Sequence, residues 1–234
     1  MRTIEEIRNN TKPVILLGSS LTSHNLLESC EAQGITVLGF IDPDYSGQTS
    51  LYGKPLLDKD TYLTKYKDLV EFFVATNWNP DPHRVTVRNN KKRDMLIDWI
   101  DEYNLSAATL VHPTAVISPG ALIGRNVSIG ALSMVCHGAE ISDHASIKEQ
   151  CYISHGVKIG RNTVVQLRAC ITGDVYVGSN TYVGVGSTIL HRGATATPTI
   201  IGDNVLIHPN LLVFQDLPSG STASLRDKKF SRVF

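Results

Sequence analysis

Residues 115–216 divide without a gap into seventeen consecutive hexapeptides, from AVISPG, ALIGRN, VSIGAL and SMVCHG to TIIGDN, VLIHPN and LLVFQD. The third place is Val or Ile in sixteen of the seventeen, and only GATATP, with Thr195, departs. The first place is small or branched, as in Ala115, Ala121, Val127, Ser133 and Cys151. In an extended chain the first and third places point to the same side, while Gly, Asn, Asp, His and Pro crowd places four to six. Each hexapeptide therefore reads as one short strand and one turn. One such strand cannot bury its apolar face, but many stacked in register bury a continuous column of Val and Ile.

The first 106 residues read differently. After a short amphipathic lead, PVILLG is a buried strand that runs into SSLTSHN and a helix, LLESCEAQ, closed by Gly34. A second strand, ITVLGFID, ends at Asp42. That is the opening of a parallel α/β sheet, with a glycine turn after its first strand and an acid at the end of its second. The turn is GSSLTS rather than GxGxxG, which argues against a redox dinucleotide. A helix-like DKDTYLTKYKD, a third strand LVEFFVAT and a helical pattern from His83 to Tyr103 follow, the last with a basic KKR cluster expected on its solvated side. AATLVHP then leads straight into the repeat, so the expected domains are 1–106 and 107–234.

Composition narrows the partners. Lys and Arg number 22 against 22 Asp and Glu, so no net field draws the chain to nucleic acid or an anionic membrane. No apolar run reaches the roughly 20 residues that span a bilayer, and the charged start has no signal-peptide core, so a cytoplasmic location is expected. Four scattered cysteines form no CxxC pair, and Cys151 falls at an inward place as ordinary core.

A small Rossmann-like domain followed directly by such a repeat resembles one branch of the hexapeptide-repeat acyltransferases. This branch comprises the sialic acid O-acetyltransferases and the N-acetyltransferases of amino-sugar nucleotides. The resemblance implies a left-handed, three-sided parallel β-helix, one coil per three hexapeptides, and a homotrimer with acetyl-CoA as co-substrate between subunits. It also implies that the first domain holds a nucleotide-linked amino sugar, which makes Gly18, Ser19 and Asp42 candidate contacts. Thr22 stands where the family has a histidine, and the tail LRDKKFSR is either a contact to the nucleotide end of CoA, as C-terminal segments are in the family, or a frayed basic terminus.

With three hexapeptides per coil, residues eighteen apart stack. One corner then reads Pro119, His137, His155, Gly173, His191, Pro209. Acyl transfer from a thioester needs a base that ordinarily titrates near neutral pH, and imidazole meets that need. ISHGVKIG resembles the family's catalytic stretch, which makes His155 the general base; ITGDVYVG puts Gly173 where a backbone N–H holds the thioester carbonyl. Gly156 occupies the place of an acid that often follows the histidine, so His137, Glu149 and Asp174 are the candidate partners of His155. Arg125 and Arg161 recur in GRN turns, either as exposed corners or as contacts to CoA phosphates.

The expected activity is acetyl-CoA-dependent N-acetylation of a nucleotide-linked amino sugar in surface-glycan synthesis, by direct transfer. The alternatives are O-acetylation of a sugar and a noncatalytic trimeric module that binds a sugar nucleotide. A zinc carbonic anhydrase on the same prism would need three histidines; His155 and His191 offer two, and no metal is expected.

Overall fold

The computed structural model describes residues 1–10, 12–20, 23–45, 47–76, 91–192 and 197–224. Thr22, the His83–Asn90 part of the expected helix and the LRDKKFSR tail lie outside the described residues.

The repeat forms a parallel β-helix of three sheets, with seven, six and five strands. Stacked partners are eighteen residues apart in its lower coils, as Met134 with Tyr152 and Tyr152 with Cys170. The third-place residues Ile123, Ile129, Val135, Ile141, Ile147 and Ile153 are all buried in one column. The sixth place takes a left-handed backbone, seen on one corner at Asn126, His144, Asn162, Asn180 and Asn204 with φ of 54 to 62°. Asn, Asp and His tolerate that conformation better than most residues, which accounts for the turn composition.

Two boundaries differ from the sequence reading. The first prism strand is Leu110–Val111, paired with Ser128–Ile129, and the last is Thr222–Ala223, so the stack is longer than the regular repeat. For one coil above Tyr176 partners are twenty-four residues apart, Tyr176 with Ile200, Tyr182 with Leu206 and Thr188 with Leu212, and at the top Leu206 pairs with Thr222, sixteen on. The register between stacked strands therefore lengthens by six residues, the length of one hexapeptide, between Ile189 and Thr199. In consequence His191 lies beneath Gln215, while Pro209 belongs to another corner, where Asn210 N–H donates to Val185 O at 2.8 Å.

The amphipathic lead joins the prism. Ile4–Arg8 is a short helix with a Thr3/Glu6 capping box, and Ile4 and Ile7 are buried in the prism core. Arg2 pairs with Ile123 across that end. The split at residue 106 thus does not hold for the first eight residues.

The α/β unit has three parallel strands in the order Val37–Ile41, Val14–Leu17, Glu71–Val74. Side chains alternate between its faces. Ile15, Leu17, Phe72 and Val74 pack on the Lys91–Glu102 helix through Leu96, Ile97 and Ile100, while Val14, Leu16, Phe40 and Phe73 pack on the Ser23–Ala32 helix through Leu27 and Cys30. The expected DKDTYLTKYKD helix is shortened to residues 59–65, with a π-helical turn at Thr61–Lys65.

The KKR cluster is not a solvated face. Lys91 is exposed, but Arg93 is buried and joins the two halves of the chain: Nη1 donates to Thr76 O at 2.8 Å, Nη2 to His144 O at 2.8 Å and Nε to Asn162 Oδ1 at 2.9 Å. Nearby, Val74 N–H donates to Asn126 Oδ1 at 2.9 Å. Arg125 and Arg161, with 42% and 41% of their side chains exposed, both pair with Asp101 of the same helix, at 2.8 and 3.2 Å. Buried polar groups matched across the junction fix the angle between the halves, because an unmatched one would lose its water without replacement.

Candidate active site

His155 follows the strand Tyr152–Ile153 and stands exposed at a prism corner. Its imidazole lies over Gly173, one coil on. A Cβ at Gly173 would come within 2.3 Å of His155 Cε1 and 2.6 Å of Nε2, so only glycine lets the ring rest there. The amides beside Gly173 are engaged: Thr172 N–H donates to Ile189 O at 3.0 Å and Asp174 N–H to His155 O at 3.2 Å. The Gly173 N–H stands outside the ladder that links successive coils.

The candidate partners divide. His137 sits on the same corner, but its ring folds back over Gly120, where a Cβ would be 2.2 Å from Nδ1. His137 and His155 thus lean toward opposite coils. Asp174 is beside His155, its Oδ1 2.5 Å from where a Cβ on Gly156 would be. Glu149 is on a different corner, after Ser146–Ile147, one prism side from His155. Among the described residues, no side chain bonds either ring nitrogen of His155, so packing on Gly173 rather than an acid sets its place.

His191 Nε2 lies 3.2 Å from Thr197 O, and Arg192 N–H donates to Thr199 Oγ1 at 3.1 Å. His155 and His191 do not converge, and among the described residues no three His, Cys, Asp or Glu side chains gather as a metal would require. Cys151 is core; desolvation pushes its thiol up to about 12, which suits neither a thiolate nucleophile nor a ligand.

In the α/β unit, Ser19 Oγ donates to Asp42 Oδ2 at 2.6 Å, and Lys92 Nζ donates to Asp42 Oδ1 at 2.6 Å. Gly18 has φ +71°, and a Cβ there would strike Leu96 Cδ1 at 2.4 Å and Thr76 Cγ2 at 2.6 Å. Its bare α-carbon is thus covered by the Lys91–Glu102 helix rather than open to a phosphate. Lys92, which the sequence reading put with the KKR run on a solvated face, joins this cluster instead.

A cleft of about 660 Å³ separates the Ser23–Ala32 helix from the prism, lined among others by Asn25, Glu28, Ser128, Lys148, Glu149 and Gln166. Burial pulls the Lys148 ammonium below its ordinary value, and Glu149 offsets part of this. Between the cleft and the His155 corner lies a prism side with exposed Val116 (55%), Met134 (39%) and Tyr152 (41%). Among the described residues, no helix is long and apolar enough to cross a membrane.

No protein-family model matches the sequence, and no curated protein does. Solved structures do match. A variant of perosamine N-acetyltransferase from Caulobacter crescentus, in complex with CoA and GDP-perosamine, is 24% identical over 88% of this chain and 90% of its own, with a TM-score of 0.74. WeeI from Acinetobacter baumannii AYE is 20% identical over 91% and 96%, with a TM-score of 0.75. The acetyltransferase domain of PglB from Neisseria gonorrhoeae FA1090, in complex with acetyl coenzyme A, is 19% identical over 91% and 96%, with a TM-score of 0.67. At these identities the likeness establishes a shared fold over nearly the whole chain.

Proposed function

We propose that this protein is a cytoplasmic, homotrimeric N-acetyltransferase that moves the acetyl group of acetyl-CoA to the amine of a nucleotide-linked amino sugar for surface-glycan assembly. The observation that carries this is the seating of the exposed His155 imidazole against Gly173. It sets an imidazole beside an unladdered backbone N–H at one corner of what we take to be a left-handed prism. The likeness to folds holding CoA with GDP-perosamine, or acetyl coenzyme A, supports the same reading.

In the proposed reaction the acceptor amine attacks the thioester carbonyl carbon as His155 takes its proton. The carbonyl oxygen becomes an oxyanion that accepts from the Gly173 N–H. Collapse breaks the C–S bond; the CoA thiolate leaves and takes up the proton from His155. A backbone donor aimed at such an oxyanion contributes about 3 kcal/mol to lowering the barrier. No covalent acyl-enzyme is required.

The sugar nucleotide is assigned to the α/β unit, beside the Gly18–Ser19 turn and the Asp42 end of the second strand, where the Gly18 α-carbon and the Asp42 carboxylate are themselves covered, with its sugar in the cleft. The cleft and His155 are a prism side apart, roughly 15 Å at strand rise. A second subunit packed on the apolar side around Val116, Met134 and Tyr152 would bring its corner to the cleft, and this supports the trimer.

The test is thiol release from acetyl-CoA with a panel of nucleotide-linked 4-amino and 3-amino sugars, beside their hydroxyl counterparts and sialic acid. Release with one amino sugar nucleotide, and not with its hydroxyl analogue, is expected. Release with hydroxyl acceptors alone would make the protein an O-acetyltransferase, and sugar-nucleotide binding without any release would make it a binding module.

A further inference from the structure

Asp42 is closed to ligand. Its side chain is 0% exposed, Oδ2 accepts from Ser19, and Oδ1 accepts from both Lys92 Nζ and the Asp44 N–H, the latter at 3.0 Å. A carboxylate that holds a ribose diol or a base needs an outward oxygen, and here none faces solvent. Lys92 is the outward member of the cluster, with 26% of its side chain exposed. Its ammonium lies 2.6 Å from Asp44, whose side chain is 65% exposed, and 5.9 Å from the Tyr45 ring centroid. Its backbone is fixed by the neighbouring Arg93, which is tied to the prism.

We propose that Lys92, rather than Asp42, is the group of this unit that meets the phosphates of the ligand, with Asp42 and Ser19 as its frame and Asp44 as the carboxylate that the phosphate displaces. This deepens the nucleotide assignment made above and rests on it. An ammonium has three donors, and two of these are engaged by Asp42 and Asp44. The bond to Asp42 stays, because breaking it would strand a buried carboxylate. The pair with Asp44, whose side chain is 65% exposed, contributes little, so a phosphate carrying more charge than one carboxylate can replace it. Burial by itself would lower the Lys92 ammonium, but the two carboxylates outweigh it and hold it above its ordinary value, so it is charged at neutral pH.

The sign of one substitution decides the matter. If Asp44 competes with phosphate for Lys92, Asp44→Asn tightens nucleotide binding; if Asp44 itself holds ribose or base, the same change weakens it. The experiment is calorimetric titration of the full-length protein with GDP, UDP, CDP and dTDP at two ionic strengths. The wild-type protein is expected to bind one of them. Asp44→Asn should tighten that binding several-fold, and Lys92→Met should weaken it at least about tenfold and flatten its salt dependence. Since Lys92→Met leaves Asp42 buried without its cation and can unfold the unit, Asp44→Asn, at an exposed position, is sufficient alone. Weaker binding by Asp44→Asn, or wild-type binding by a folded Lys92→Met, overturns the proposal. Failure of the wild-type protein to bind any of the four overturns the nucleotide assignment itself, and this inference with it.

Discussion

The imidazole of His155 rests on the bare α-carbon of Gly173, one coil of the prism away, so that a methyl group there would come within 2.3 Å of Cε1. The proposed base and the proposed backbone donor therefore meet at one contact. This makes the corner testable one atom at a time.

Gly173→Ala should push the ring aside without harming the prism, because the clash is with an exposed side chain that can rotate. We expect kcat/KM to fall about a hundredfold, with unfolding free energy within about 0.5 kcal/mol of wild type. Steady-state kinetics beside urea denaturation check this; unchanged kinetics would remove Gly173 from the site.

His155→Ala removes the proposed base and nothing buried. The expected loss in kcat is 10²- to 10⁴-fold, in the range usual for a general base. Calorimetric affinity for the sugar nucleotide should stay the same. Turnover that persists at the wild-type rate would place the base elsewhere.

His144 makes the prism acid-sensitive. It replaces asparagine in the left-handed corner column, is fully buried, and its Nδ1 bonds Asn126 Nδ2 at 2.7 Å, while Nε2 has no partner among the described residues. Burial, with Arg161 and Arg93 nearby, pushes it down from 6.5 to about 3. An unfolded chain takes up the proton near 6.5, the folded one only near 3, so this contribution to stability is complete above 6.5 and falls as pH drops toward 3. The slope is at most ~1.4 kcal/mol per pH unit. His144→Asn should flatten it, since Asn162 and Asn180 already bond each other in that column at 3.1 Å. Urea midpoints measured from pH 7 to pH 4 would show whether it does.

Arg93→Met leaves Thr76 O, His144 O and Asn162 Oδ1 without their donor. At about 1–3 kcal/mol for each acceptor stranded, the loss should exceed ~3 kcal/mol. Lys91→Met, two positions earlier on the exposed side, should change stability by less than about 0.5 kcal/mol. Equal effects in thermal unfolding would contradict the buried junction.

The sequence by itself determined the prism and its core. The six-residue period assigns every third place inward and every sixth to a turn, and the alternation of an extended chain leaves little freedom about Ile129, Ile147 or Ile153. It also determined the α/β unit, from three apolar strands with helical spacing between them. The corner carrying His155 followed from the eighteen-residue stacking that the family resemblance supplied.

Only the tertiary structure decided the rest. GATATP keeps the repeat frame because it is as long as one hexapeptide, and only Thr195 at its third place set it apart; the pairing of Tyr176 with Ile200 is what shows the register lengthening by six residues. The KKR run has the composition of a surface, yet Arg93 meets Asn162 and Lys92 meets Asp42, partners 69 and 50 residues away along the chain. Ile4 and Ile7 look like part of the first domain and close the second. Periodicity records which way a side chain points within its own element, whereas these contacts depend on which distant elements come to face each other.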